Sequence, residues 1–117
     1  MLRLLFIAVA MMLMGSSAIA AAPPSTASLT VPATVVAGAE YTVSGSGFTP
    51  GAFIAVLTRE PDITWFWNGR ADDAGAFSYV RSTSLTSAGA TVRHDAYEQK
   101  QGNHWKLKAS ATTTVLP

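Results

Sequence analysis

There is no cysteine among the 117 residues. That excludes a disulfide staple, a thiolate metal site and a thiol nucleophile. Charge is also scarce. Eight basic and seven acidic residues make up 13% of the chain and leave a net charge of +1. No basic run could neutralise a phosphate backbone, so nucleic acid is not an expected partner. Ligands for a metal are few: His94, Asp95, Glu98 and His104 lie near one another in sequence, but alternation sends His94 and Asp95 to opposite faces of a strand, and zinc needs three or four convergent ligands. His94 is expected to be a hydrogen-bonded core residue. Asp72-Asp73-Ala74-Gly75 offers two carboxylates where calcium takes six to eight oxygens, and a simple turn is expected. No G-x-S-x-G elbow is present. Gly45-Ser46-Gly47 lacks the following helix and Lys of a phosphate loop. The chain is read as non-enzymatic, with no cofactor and no metal.

Long apolar runs are limited to one. Arg3 precedes Leu4 to Met14, Gly15-Ser16-Ser17 breaks the run, and Ala18-Ile19-Ala20 supplies a small-x-small cleavage pattern. A membrane-spanning helix takes about 20 apolar residues, so residues 1–20 are read as a secretory signal peptide. No cysteine follows for lipid attachment. Without Arg3, seven basic residues face seven acidic ones. The expected location is secreted or periplasmic, with no membrane association after cleavage. Residues 21–27 read as a disordered lead kept extended by Pro23-Pro24, and residues 28–117 as one domain.

That domain has no helical periodicity. Tyr41 and Val43 alternate with Thr42 and Ser44, the period-2 pattern of a half-buried strand. Gly45 and Gly47 allow close backbone approach or positive φ, and Pro50-Gly51 fits a tight turn. Ile54, Val56 and Thr58 alternate with Phe53, Ala55 and Leu57; both sets are largely apolar, so this strand is expected to be central with little water on either side. The remaining expectations are a first strand over 28–31, edge-confined by Pro32 and continued over 34–36 after a switch. Further strands are expected over 63–67, closed by the hairpin dipeptide Asn68-Gly69, over 76–81 and over 90–98. The last covers 105–115, with Trp105, Leu107, Ala109 and Ala111 sharing one face. The fold class expected is an all-β, seven-stranded antiparallel β-sandwich.

Gly45-Ser46-Gly47-Phe48-Thr49-Pro50-Gly51, followed by Ile54 and Val56, resembles the G-x-G-F-x-P-G-x-x-V-x-V signature of bacterial immunoglobulin-like (Ig-like) modules. Asp73-Ala74-Gly75-Ala76-Phe77-Ser78 is similar to a hairpin of the same modules. The resemblance spans Leu29 to Val115 and implies an Ig-like β-sandwich of a secreted or cell-surface protein. Its motifs are structural, so it implies a fold rather than an activity.

Trp65-Phe66-Trp67 is the chief candidate site. In a strand the two indoles share one face and Phe66 takes the other. If the Trp pair is exposed it would stack a sugar ring or anchor a protein, with Arg59 and Arg70 adding hydrogen bonds; if it fills the core, Phe66 is the exposed residue. The ligand-binding residues expected are Trp65, Trp67, Arg59 and Arg70. The expected function is binding or adhesion to a surface protein or glycan. The alternative is a structural subunit assembling through an edge strand or as a homo-oligomer, with Thr112-Thr113-Thr114 as a candidate open edge.

Overall fold

The computed structural model describes residues 26–117. The expected signal peptide and residues 21–25 of the lead lie outside the described residues. Eight strands follow in order: β1 Ser28–Thr30, β2 Thr34–Val36, β3 Glu40–Ser46, β4 Phe53–Arg59, β5 Thr64–Arg70, β6 Phe77–Ser82, β7 Thr91–Lys100 and β8 His104–Leu116. They form two sheets, β1-β3-β6 and β2-β8-β7-β4-β5. The architecture is the all-β two-sheet sandwich that alternation predicts.

The strand beyond the expected seven is β2. The chain leaves the three-stranded sheet at Pro32 and crosses to lie parallel to the end of β8, Thr34 opposite Thr114. Thr114 N–H donates to Ala33 O at 2.9 Å, and Ala37 N–H to Leu116 O at 2.8 Å. This covers the end of the edge expected to be open at Thr112-Thr113-Thr114. Ala27, placed by the sequence in the disordered lead, is buried in the core. It is held there because Thr26 and Ala27 run directly over Gly47, where φ is +76° and a Cβ would strike the Thr26 carbonyl.

The inward positions are mostly apolar, with Thr58, His94 and Glu98 as buried polar exceptions. Tyr41 and Val43 of β3, Ile54 and Val56 of β4, Phe77 and Tyr79 of β6, and Val92 and Ala96 of β7 are buried. Two expectations fail here. Asn68-Gly69 is not a turn: both residues lie inside β5, opposite Ala55 and Ile54. Gly69 is needed because the Trp67 indole lies over it, where a Cβ would collide. The alternation in β8 is interrupted as well. Ala96 pairs with Ala109 but Tyr97 pairs with Leu107, so Lys108 is an extra residue in a bulge. The bulge turns Trp105 and Leu107 to the face opposite Ala109 and Ala111.

The Gly-rich corner is fixed by two contacts distant in sequence. Phe48 N–H donates to Gly75 O at 3.1 Å, and Gly51 N–H to Ala71 O at 3.0 Å, so the corner and the Gly75 turn dock on each other. That turn is closed by Asp72, whose Oδ1 accepts from Ala74 and Ala76 N–H at 2.9 Å each. On the other side, Glu98 is buried and its carboxylate accepts from Thr49 N–H and Thr49 Oγ1–H, both at 2.8 Å, and from Lys100 Nζ at 2.6 Å. Burial pushes the Glu98 carboxyl up, but Lys100 and the two Thr49 donors outweigh it and bring it to about 2.

A carboxyl depressed in the fold contributes stability above its unfolded value of 4.5, and that contribution is lost as pH falls toward about 2. Unfolding free energy from urea titrations at stepped pH is expected to decline across this window. Glu98→Gln should cost about 2 kcal/mol at neutral pH and flatten that part of the decline. An unchanged acid profile in the variant would show that Glu98 is not the group responsible.

Candidate functional site

The sandwich has one interior, and the five-stranded sheet has an outer face that no other part of the described chain covers. Four strands supply it. β4 gives Phe53, Ala55, Leu57 and Arg59, and β5 gives Phe66, Asn68 and Arg70. β7 gives Arg93, Asp95, Tyr97 and Gln99, and β8 gives Trp105 and Leu107 after its bulge. The register aligns Leu57 with both Phe66 and Asp95, and Ala55 with both Asn68 and Tyr97. Small Ala55 in a row of larger side chains leaves a hollow. Ala55, Leu57, Phe66, Asn68, Tyr97 and Trp105 line an open cleft of about 570 Å³. Phe66 is 60% exposed, Phe53 47%, Leu107 47% and Trp105 45%. Most large apolar side chains on a folded surface are scattered singly; here four share one sheet face, and two of them, Phe66 and Trp105, line the hollow.

The strand β4 is central, as expected, but its second apolar face is open to water rather than covered. The reason is geometric: successive residues point to opposite faces, and the second sheet can cover only one of them.

The four residues expected to form a site do not share a face. Trp65 and Trp67 point inward and are half-buried. Trp67 stacks on Tyr79 with centroids 4.6 Å apart and planes 9° apart, and on Phe77 at 5.1 Å. Trp65 packs on Tyr79 at 6.2 Å and lies under the Arg81 guanidinium at 5.2 Å. Arg59 and Arg70 lie on the outer face that Phe66 shares, Arg59 near it and Arg70 four residues further along β5, opposite Phe53. Arg70 rests 4.3 Å above the Phe53 ring. The structure therefore groups the two arginines with Phe66 rather than with the Trp pair.

Beside the cleft, along β7, Asp95 sits between Tyr97 and Arg93. It is 2% exposed although it points outward. Arg59 Nη1 donates to its Oδ2, Arg93 Nε donates to Oδ1 at 2.8 Å, and Ser110 Oγ–H donates to Oδ1 at 2.6 Å. Burial pushes the Asp95 carboxyl up, but Ser110, Arg93 and Arg59 together hold it below the usual carboxylate range. Phe53, Tyr97 and Trp105 were not singled out as ligand-facing in the sequence. The available signal was that β4 is apolar on both faces; the bulge that brings Trp105 round has no sequence mark.

A second polar cluster lies inside. Glu60 accepts from Arg81 Nη2, from Ser87 Oγ–H at 2.5 Å and from Ser84 N–H at 2.9 Å. Arg81 Nη1 donates to Tyr41 Oη at 2.7 Å, and Tyr41 donates in turn to His94 Nε2 at 2.8 Å. His94 Nδ1–H faces Ala111 O at 3.2 Å. His94 is the buried, hydrogen-bonded histidine that the alternation predicts, and burial lowers its pKa. Each of these residues has a partner within the fold, although Arg81 Nε is buried without one, and the chain of bonds ties the two sheets together.

Replacing Phe66 with Ser is expected to change stability by less than about 0.5 kcal/mol, since the ring is a surface group. Trp67→Ala should cost about 3 kcal/mol, because it empties the stack between the sheets. Paired chemical denaturation measures both; a Phe66→Ser loss as large as that of Trp67→Ala would mean the outer ring is structural.

No known protein family matches the sequence, and no curated protein does. Among solved structures the chain is similar to the PKD domain of an M14-like peptidase from Thermoplasmatales archaeon SCGC AB-540-F20, with TM-score 0.57 and 18% identity over 84% of this chain and 100% of that one. It also matches macromomycin, with TM-score 0.49 and 19% identity over 76% of this chain and 98% of that one. The first likeness supports an Ig-like β-sandwich fold, in agreement with the two-sheet topology.

Proposed function

We propose that this chain is an exported, non-enzymatic Ig-like binding module that meets its partner through the outer face of the five-stranded sheet. Export rests on Arg3, the apolar run from Leu4 to Met14 and the Ala18-Ile19-Ala20 pattern. Binding rests on one observation above all: the exposed rings of Phe66 and Trp105 line a cleft that the fold itself does not need, on a face that also exposes Phe53 and Leu107. Concave, mostly apolar hollows with a few placed polar groups are the usual form of a binding site. Here the polar groups are Asn68 and the Tyr97 hydroxyl. A surface protein or glycan that presents a flat apolar portion fits this reading. The alternative of self-association draws on the same face and on β5, which forms one edge of its sheet.

The test is an amide and indole NMR screen of the purified protein against fragment and glycan collections. Hits are expected to shift Ala55, Leu57 and Tyr97 amides and the Trp105 indole, and to weaken about tenfold in Phe66→Ala, as loss of a central aromatic contact does. Hits that map to the Trp65 and Ser84 end, or the absence of hits in every class, would sink the reading. Concentration-dependent dimerisation lost in Phe66→Ser would favour self-association instead.

A further inference from the structure

The outer face is asymmetric in charge as well as apolar. The outward positions of β4, β5 and β7 carry Arg59, Arg70 and Arg93 against the single carboxylate of Asp95, so three positive charges less one negative leave +2 there. The cationic end is built rather than incidental. Arg59 and Arg93 lie directly opposite each other on β4 and β7. Both bind the buried Asp95 carboxylate, which is itself fixed by Ser110. Their side chains are 51% and 55% exposed. Asp95 engages one nitrogen of each guanidinium, and the other nitrogens have no protein partner among the described residues. Because Arg93 is held through Nε, its Nη1 and Nη2 remain as a two-pronged donor, the geometry that grips a carboxylate bidentately.

This donor adjoins the cleft. Leu57, in the cleft wall, is paired with Asp95 across the sheet, and Arg59 is the next residue on the same face of β4. Same-face neighbours along a strand are about 7 Å apart and adjacent strands about 4.8 Å. An anionic group on the arginines and a ring over Ala55 and Leu57 therefore belong to one molecule of modest length.

Building on the binding role above, we propose that the cleft takes a flat apolar molecule bearing one carboxylate, that is, an aromatic carboxylic acid. The ring lies over Ala55 and Leu57 between Phe66, Tyr97 and Trp105, and the acid is held by Arg93 and Arg59. A neutral sugar fits less well, because the lining offers Asn68 and the Tyr97 hydroxyl as its only polar side-chain groups. A cationic ligand is opposed by the +2 face.

The experiment uses three probes with one ring system: 2-naphthoate, 2-naphthylmethanol and 2-naphthylmethylammonium. Each is titrated into the unaltered protein by calorimetry at low salt. The acid is expected to bind roughly fivefold tighter than the alcohol, as befits a half-exposed charge pair, and the ammonium weakest. The preference for the acid should shrink as salt is raised. Arg93→Gln should bring the acid to the level of the alcohol, while Phe66→Ala weakens both. Arg93→Lys keeps the charge beside Asp95 but loses the fork, and should retain only part of the preference. The probe series on the unaltered chain needs no variant to fold. Equal affinity for acid and alcohol, both weakened by Phe66→Ala, overturns the proposal and leaves the binding face standing. Tighter binding of the ammonium, or no binding of any probe, also overturns it.

Discussion

The stack of Trp67 on Tyr79, 4.6 Å apart and nearly parallel, decides which way β5 faces, and most of the molecule follows from that choice. A strand has two faces and this sandwich has one interior. With Trp65 and Trp67 turned inward against β6, Phe66, Asn68 and Arg70 have nowhere to go but outward. The cost of the opposite choice is plain: a one-residue slip would place Phe66 and charged Arg70 between the sheets and expose two indoles. Gly69 makes the observed choice possible, because the Trp67 indole occupies the space that any Cβ there would fill. The aromatic row Trp65, Trp67, Tyr79 and Phe77 then closes the open side of the sandwich, where two edge strands of different sheets meet.

A cysteine-free domain of this size has to fix its strands and layers by other means, and three buried carboxylates contribute to that. Glu98 ties β7 to the Gly-rich corner through Thr49. Glu60 ties the end of β4 to β6 and to the short 3-10 turn Leu85–Ser87 through Arg81 and Ser87. Asp95 ties β4, β7 and β8 on the outer side. Each carboxylate has a cation and at least one neutral donor, which is the condition under which a buried charge is tolerated. The gain is specificity of register more than raw stability: a slip of any of these strands strands a charge.

These ties explain which parts of the fold were legible in the chain. Strand positions were, because Tyr41-Val43, Ile54-Val56-Thr58 and Phe77-Tyr79 alternate locally and need no distant partner to be read. The corner was legible because glycine and proline act on their own backbone. Where a feature depends on residues far away, it was not. Asn68-Gly69 has the composition of a turn and lies in a strand because an indole needs the glycine. Trp105 and Leu107 alternate in step with Ala109 and Ala111, yet Lys108 bulges and reverses them. The partners of Arg81 and Arg59 lie 21 and 36 residues away, and nothing local marks them. The candidate site was legible by half: Arg59, Arg70 and the either-or of Phe66 against the Trp pair were visible, but not which face won.

What the sandwich's own packing leaves unexplained is the content of its outer face. Strand propensity asks only for a β-branched or aromatic residue at each outward position of β4 and β5, and Thr64 shows that a polar one serves. The fold would lose little if Phe53, Phe66, Trp105 and Leu107 were threonines, since none of them fills the space between the sheets. Exposed rings carry a standing risk of aggregation through the nearby β5 edge. Arg70 stacked on Phe53 and Arg59 beside Leu57 temper that risk with charge, but a plain polar surface would remove it. Residues that folding does not require, sharing one face with a hollow that two of them line and with arginines fixed in place, are accounted for by an occupant from outside the chain.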